Sequence, residues 1–366
     1  MSFFAQRAIA LIDTDALTAN YNAVFSLVSA AKKRPRIMAV VKANAYGHGA
    51  SIVVPTLAAA GCSDFAVATA DEALDVRKLA PSARVLVLGY TPPQRARALA
   101  AAHVTQTVFS YDYAAALSAA LDAPLFVHFK VDGGMCRLGF DPADTTGILA
   151  AAALPRLLPR GIFTHFPSAE SDSAATAAAL DRFSACRRTL ADAGLTLFAH
   201  AAASAALLTI PAAWLDAVRP GIALYGVPPV QTDLPLSPAL SLTAPVVQIH
   251  AVPRGTPVGY GGRFVAKRDS RIATVPLGYA DGFSRALTDF SVTVLHEKSR
   301  FFCPVVGSVC MDQLMLDVTG TPAAPGDTVL LFEDPRPVAA ALGTIPYEVL
   351  TALSERVTRH KKGGSP

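Results

Sequence analysis

The sequence predicts an α/β chain, an N-terminal (β/α)8 TIM barrel followed by a C-terminal, mostly antiparallel β domain, and three observations carry that expectation. Over the first two thirds of the 366 residues, short apolar runs rich in β-branched residues alternate with alanine-rich stretches of helical spacing. About eight such runs occur, enough to close a barrel of roughly 250 residues. Near 227–238 the proline-rich segment VPPVQTDLPLSP ends the alternation, and strand-like runs separated by Gly, Pro and Asp turns follow it.

The chain opens with AIALID (8–13), a strand whose sheet the sequence leaves open. TDALTANYNAVFSLVSAA then reads as a helix capped by Thr14 or Asp15. The eight barrel runs are RIMAVVKAN (36–44), DFAVAT (64–69), RVLVLG (84–89), VTQTVFS (104–110), LFVHFKVD (125–132), LLPRGIFTHF (157–166), LFAHAA (197–202) and LDAVRPG (215–221). Residues 1–235 are therefore assigned to the barrel, with 1–13 open to pairing with the second domain, and 236–366 to the β domain. Its runs are LTAPVVQIHAV, RIATVPLG, SVTVLHE, LMLDV and TVLLF. A last helix over YEVLTALSERVTRH (347–360) and a disordered tail, HKKGGSP, complete the expectation.

A composition of 52% hydrophobic and 16% charged residues belongs to a globular chain with alanine-rich helices. The formal charge of +4 is scattered, and the short basic clusters at 32–36 and 359–362 lack interleaved aromatics, so nucleic acid is not an expected partner. Cys62, Cys136, Cys186, Cys303 and Cys310 form no CxxC pair and leave one thiol over in any disulfide scheme, which favours a reducing compartment. No signal-peptide core precedes the first acidic residue and no run of about 18 apolar residues follows. A cytoplasmic protein without membrane contact or metal centre is expected.

Function in such a barrel gathers at the C-terminal ends of the strands. Lys42 ends the first run, Lys130 and Asp132 the fifth, His165 the sixth and Arg219 the eighth, while Ser204 follows the seventh. A lysine after MAVV is costly to bury unless its pKa is depressed or its amine is covalently used. A snorkelling strand-end lysine is the plainer alternative.

AVVKANAYGHG (39–49) resembles the cofactor-lysine signature of the alanine racemases, a family with a barrel followed by a β domain. HFKVDGGMCRLGF (128–140), THF (164–166), VRPGIALYG (218–226), GYGGRF (259–264), PLGYADGF (276–283) and GSVCMDQ (307–313) resemble further family motifs, in order. The resemblance implies pyridoxal 5'-phosphate carried by Lys42, with Lys42 and Tyr260 as bases on opposite faces of the substrate. It implies that Tyr260 reaches the active site of a partner subunit, so a homodimer is a functional requirement. Tyr46, Ser204, Gly221 and Ile222 would hold the phosphate, His165 would pack on the cofactor ring and bond to Arg219, and Arg219 would face the pyridine nitrogen. An always-charged arginine there limits carbanion delocalisation, which favours racemisation over transamination.

Arg137 and Met311 would contact the substrate carboxylate, with Asp312 beside them, and Tyr279 and Arg285 would line the entrance. Lys130 matches a lysine that many members carry as a carbamate. Two positions depart from the family: Ala203 replaces an asparagine before the motif serine, and Glu355 stands where a phosphate-binding tyrosine is frequent. The expected reaction is interconversion of L- and D-alanine, supplying D-alanine for peptidoglycan. A serine or broad-specificity racemase is the alternative, followed by a decarboxylase of the same barrel type and a non-catalytic cofactor carrier, which would need neither Tyr260 nor a second domain.

Overall fold

The computed structural model describes residues 7–362. The strands, in chain order, begin with β1 (Ile9–Ile12), β2 (Arg36–Val40), β3 (Asp64–Val67), β4 (Arg84–Val87), β5 (Thr105–Val108), β6 (Leu125–Lys130), β7 (Leu157–Phe163), β8 (Phe198–Ala203) and β9 (Ala217–Arg219). Strands β2 to β9 are all parallel and close into a barrel, with Arg36 and Ile37 of β2 opposite Ala217 and Val218 of β9. Buried Val40, Phe65, Val87, Val108 and Phe129 explain the continuous apolar runs, since each strand has helices on one side and the barrel interior on the other. The returning helices start at clear caps. Thr69 and Glu72 form a capping box at Ala70–Leu79, and Ser110 and Asp172 accept from backbone N–H groups at Tyr111–Ala120 and Ser173–Asp192.

The barrel unit comprises Leu17–Ala45 and Val53–Ser237; the other compact unit comprises Met1–Ala16, Tyr46–Ile52 and Pro238–Pro366. The strands of this second unit are β1 together with β10 (Leu240–Pro245), β11 (Gln248–Val252), β12 (Pro257–Val258), β13 (Phe264–Val265), β14 (Ser270–Val275), β15 (Ser291–His296), β16 (Ser299–Val306), β17 (Leu314–Asp317), β18 (Thr328–Phe332) and β19 (Thr358–Lys361). Nine form one sheet in the order β11-β14-β17-β16-β15-β18-β10-β1-β19, mostly antiparallel; β12 and β13 form a separate hairpin. The opening strand β1 lies in this sheet, antiparallel to β10 and parallel to β19.

Several local expectations need correction. The last helix covers only Pro346–Thr351, and Thr358–Lys361 is a strand. Arg359 explains the change: it donates to the carbonyls of Gly47, Leu353, Ser354 and Val357, fixing a turn that leads the chain along the open edge of β1. His360 and Lys361 therefore belong to a strand rather than a tail, Lys362 pairs with Asp13 at 2.8 Å, and residues 363–366 lie outside the described residues. The cap of helix Thr14–Ser29 is Asp13, whose Oδ1 accepts from the Ala16 N–H, not Thr14 or Asp15. The run 242–252 is two strands because the chain changes partner at Val246 and Val247, whose N–H groups go to Asp327 and Thr274. Helix Pro335–Leu342, with Asp334 at its start and a left-handed Gly343 at its end, had no counterpart in the hydrophobic pattern.

Candidate active site

The segment after β2 takes an uncommon backbone path. Ala43, Asn44, Ala45 and Tyr46 all have φ between 51° and 55°, in the left-handed region. Residues with a Cβ lose roughly 1–2 kcal/mol each there, so other groups must hold the turn. Glu72 does so with both oxygens: Oε1 accepts from the Ala43 N–H at 2.6 Å, and Oε2 from those of Ala68 and Thr69 at 2.8 and 3.2 Å. The Ala45 N–H donates to the Val41 carbonyl, and the Tyr225 hydroxyl to that of Val40. Strain this firmly opposed marks a functional turn, and it aims Lys42. The Lys42 side chain is solvent-accessible. Even so, desolvation by the surrounding strand ends, followed by the Arg137 charge, holds its pKa below the ordinary lysine value, with Glu72 opposing.

At the end of β6, Lys130 donates to the Leu138 carbonyl at 2.6 Å, and Asp132 Oδ2 accepts from the N–H groups of Gly134 and Cys136. These bonds fix the loop that carries the exposed Arg137. Burial, with Arg137 and Arg219 nearby and Asp132 opposing, brings Lys130 down to about 8.

Arg219 ends β9 and is only 3% exposed, yet among the described residues it has no carboxylate partner. Its Nη1 donates to His200 Nδ1 at 2.7 Å, and its Nη2 to the carbonyls of Thr164 and Ala201 at 2.7 and 3.0 Å. Burial lowers it to about 9, so the guanidinium remains charged at neutral pH. Among the described residues Arg219 is bonded not to His165, as expected, but to His200 on β8, the strand between β7 and β9. His165 lies close enough to Arg219, Arg137, Lys130 and Lys42 that their charges add to burial in holding it down to about 3. Ser204, just after β8, accepts from the N–H groups of Gly221 and Ala223 at 3.0 and 3.3 Å, drawing the first turn of Ile222–Tyr225 against the strand ends. Among the described residues the buried Thr164 hydroxyl and Asp132 Oδ1 have no hydrogen-bond partner.

Three imidazoles of this barrel make stability depend on pH. Burial holds His128 and His165 near about 3 and His200 well below its ordinary value. They stay neutral in the folded chain while an unfolded chain protonates them below about 6.5. Unfolding then takes up three protons, so stability falls as pH drops from about 6.5 towards about 3, at about 4 kcal/mol per pH unit in mid-range. Urea unfolding at a series of pH values measures this slope; a flat profile between neutrality and mild acid would contradict it.

In the sheet unit, Tyr260 opens the turn Tyr260–Gly262 between β12 and β13 and is 75% exposed. Tyr279 and Met311 are also exposed and lie on two tied segments: the Tyr279 N–H donates to the Cys310 carbonyl and that of Ala280 to Met311, both at 3.0 Å. Gly278 permits this approach, since a Cβ there would lie 2.3 Å from both carbonyl oxygens. Asp281, 1% exposed, anchors the loop by accepting from the Gly278 N–H and pairing with Arg7 and Arg356. Asp312 pairs with Arg356 at 2.5 Å, and Arg285 is exposed. The Tyr46 ring packs 6.0 Å from that of Tyr347, and Glu355 is exposed.

The barrel unit thus gathers Lys42, Lys130, Arg137, His165, Ser204, Arg219, Gly221 and Ile222 at its C-terminal strand ends, while Tyr46, Tyr260, Tyr279, Arg285, Met311 and Asp312 belong to the sheet unit. Sequence reading missed Glu72, His200 and Asp281. Only Glu72 left a signal, in the TxxE capping pattern. Among the described residues no cluster of His, Cys, Asp or Glu could hold a metal ion, and no helix is long and apolar enough to cross a membrane.

Residues 12–229 match the model of the alanine racemase N-terminal domain, and residues 239–361 that of the alanine racemase C-terminal domain. The alanine racemase of Desulfovibrio desulfuricans is 40% identical over 334 residues, covering 87% of this chain and 89% of its own. That of Carboxydothermus hydrogenoformans is 39% identical, covering 92% and 95%. Among solved structures, the alanine racemase of Clostridium difficile superposes with a TM-score of 0.88 at 33% identity, over 96% of this chain and 94% of that one. The Bacillus anthracis alanine racemase with bound L-Ala-P gives 0.87 at 33%, over 96% and 93%.

Proposed function

The chain belongs to the alanine racemase family, and from that premise we propose that it interconverts L- and D-alanine on pyridoxal 5'-phosphate held by Lys42, with Lys42 and Tyr260 as the two bases. The observation that carries this reading is the buried Arg219, without a carboxylate partner among the described residues, at the end of the strand next to that of Lys42. A buried cation whose partners are all neutral suits an acceptor atom or an anion. The unpaired Thr164 hydroxyl adds a second polar group with unmet demand at the same strand ends. These residues fit the cofactor.

When bound, pyridoxal phosphate supplies an electron sink for the charge left at the substrate Cα. The rest falls to side chains. The lowered pKa of Lys42 favours the neutral amine that can take a proton from, or return one to, one face of Cα. On the other face the partner subunit's Tyr260 serves, which makes a homodimer the working unit and accounts for an exposed tyrosine on a glycine-flanked turn. Arg137 and Met311 bind the substrate carboxylate, with Asp312 holding the segment through Arg356. Tyr279 and Arg285 narrow the entrance to small side chains.

Arg219 donates to the acceptor it faces and keeps its own proton, so negative charge stays near Cα and is returned quickly to a proton. An acid at this place would favour longer-lived charge; no observation favours the decarboxylase reading. The Ser204 hydroxyl and the Ile222 N–H would donate to the phosphate, with the Gly221 N–H turning to it from Ser204 Oγ and Tyr46 as a further contact. Lys130, at about 8, has a neutral fraction able to react with carbon dioxide; its carbamate would steady Arg137. The enzyme works in the cytoplasm and supplies D-alanine for peptidoglycan. Incubation of the cofactor-loaded protein with L-alanine in deuterium oxide tests this: the α-proton exchanges and D-alanine accumulates. Retention of the α-proton would refute the proposal.

A further inference from the structure

The barrel holds a cavity at the end opposite Lys42. It has a volume of about 700 Å³ and is lined at the N-terminal strand ends by Arg36, Asp64, Arg84, Phe126, Arg160 and Phe198. That volume falls in the range of small-molecule sites, at a face of the fold that ordinarily serves packing.

Charge in this chamber is unbalanced. Four guanidiniums, of Arg36, Arg77, Arg84 and Arg160, line it together with one carboxylate, Asp64. Asp64 is committed to Arg84, at 2.7 Å through both oxygens, and to Arg36 at 3.4 Å. Arg77 is spent on four backbone carbonyls. Arg160 has no carboxylate or carbonyl partner among the described residues. Its guanidinium lies over the Phe126 ring at 4.9 Å, as that of Arg36 lies over Phe198 at 4.0 Å. Stacking on the rings orients both planar forks; the N–H edge of Arg160 stays available, and Arg36 shares its own with Asp64.

A buried donor also belongs to the lining. Arg219 can only donate, so His200 accepts at Nδ1; neutral His200 then carries its hydrogen on Nε2 and donates to His128 Nδ1 at 2.9 Å. Neutral His128 accordingly carries its hydrogen on Nε2, for which no described residue is an acceptor. The ring cannot swing away, because Gly161 packs against it: a Cβ there would meet three ring atoms at 2.6 to 2.7 Å. His128 lines the chamber and is 8% exposed.

We propose that this chamber binds a small aromatic carboxylate, with Arg160 and Arg36 taking the carboxylate, Phe126 and Phe198 the ring, and the His128 Nε2–H a further acceptor atom. A planar carboxylate matches the guanidinium fork, and the apolar wall selects it over a compact inorganic anion. The bond chain to Arg219 connects this site with the face where Lys42 sits.

Benzoate titrated into the cofactor-loaded protein, with and without saturating D-alanine, tests the assignment by calorimetry and by the imidazole nitrogen shifts of His128. The expected result is saturable binding of one benzoate per chain that moves the His128 Nε2 resonance and is indifferent to D-alanine. Arg160→Ala should weaken it by about tenfold or more, Arg160→Lys should weaken it less, and inorganic phosphate should bind at least about tenfold more weakly than benzoate. Arg160 is exposed, so both variants should unfold at the wild-type temperature. Four results would overturn the proposal: an unmoved His128 resonance, competition by D-alanine, unchanged affinity in Arg160→Ala, or phosphate binding as tightly as benzoate.

Discussion

Replacement of Lys42 by alanine is expected to lower racemisation by at least about four powers of ten, because the cofactor anchor and one base are lost together. The fold should survive. Lys42 makes no hydrogen bond that the turn depends on; Glu72, Val41 and Tyr225 hold that backbone. Removing a partly desolvated cation beside Arg137 costs the folded state nothing electrostatically. Thermal unfolding should therefore be unchanged while the visible absorption of bound cofactor disappears on gel filtration. Retained activity would remove Lys42 from the mechanism, and a large drop in unfolding temperature would reassign it to structure.

Replacement of Tyr260 by phenylalanine should produce a loss of about 10²–10⁴ of a different kind. Net racemisation falls equally in both directions, since the equilibrium constant is fixed. Wash-in of deuterium at Cα of unreacted substrate is the discriminating readout: the enantiomer served by Lys42 keeps exchanging, and its mirror image nearly stops. The hydroxyl is absent while the exposed ring remains, so packing of the Tyr260–Gly262 turn is undisturbed. Equal loss of exchange from both enantiomers would contradict a two-base division.

The barrel strands were legible because strands buried on both faces read as short apolar runs, and Lys130 and Arg219 stand at the ends of such runs. The proposed ligands and bases rest on motifs. Their supporting groups were not legible, since support depends on residues distant in sequence. His200 lies in FAHAAA with nothing to set it apart, and only the closed barrel brings it to Arg219 and His128. Asp281 reads as a turn acid until Arg7 and Arg356 converge on it. The strand Thr358–Lys361 was hidden because its pairing is with β1, some 350 residues earlier in the chain, and so leaves no local period. Left-handed Ala43 to Tyr46 was equally invisible, as no glycine marks it and Glu72 supplies the restraint from another helix.

Mixing the two inactive variants, Lys42→Ala and Tyr260→Phe, tests most directly the proposal that the protein works as a homodimer in which each active site draws one base from each chain. After subunits are exchanged by dilution and reassembly, a mixed dimer has one site with both bases and one with neither. Random pairing predicts recovery of roughly a quarter of wild-type activity per chain. If both bases came from the same chain, no mixed dimer would contain an intact site, and activity would stay at the level of the separate variants.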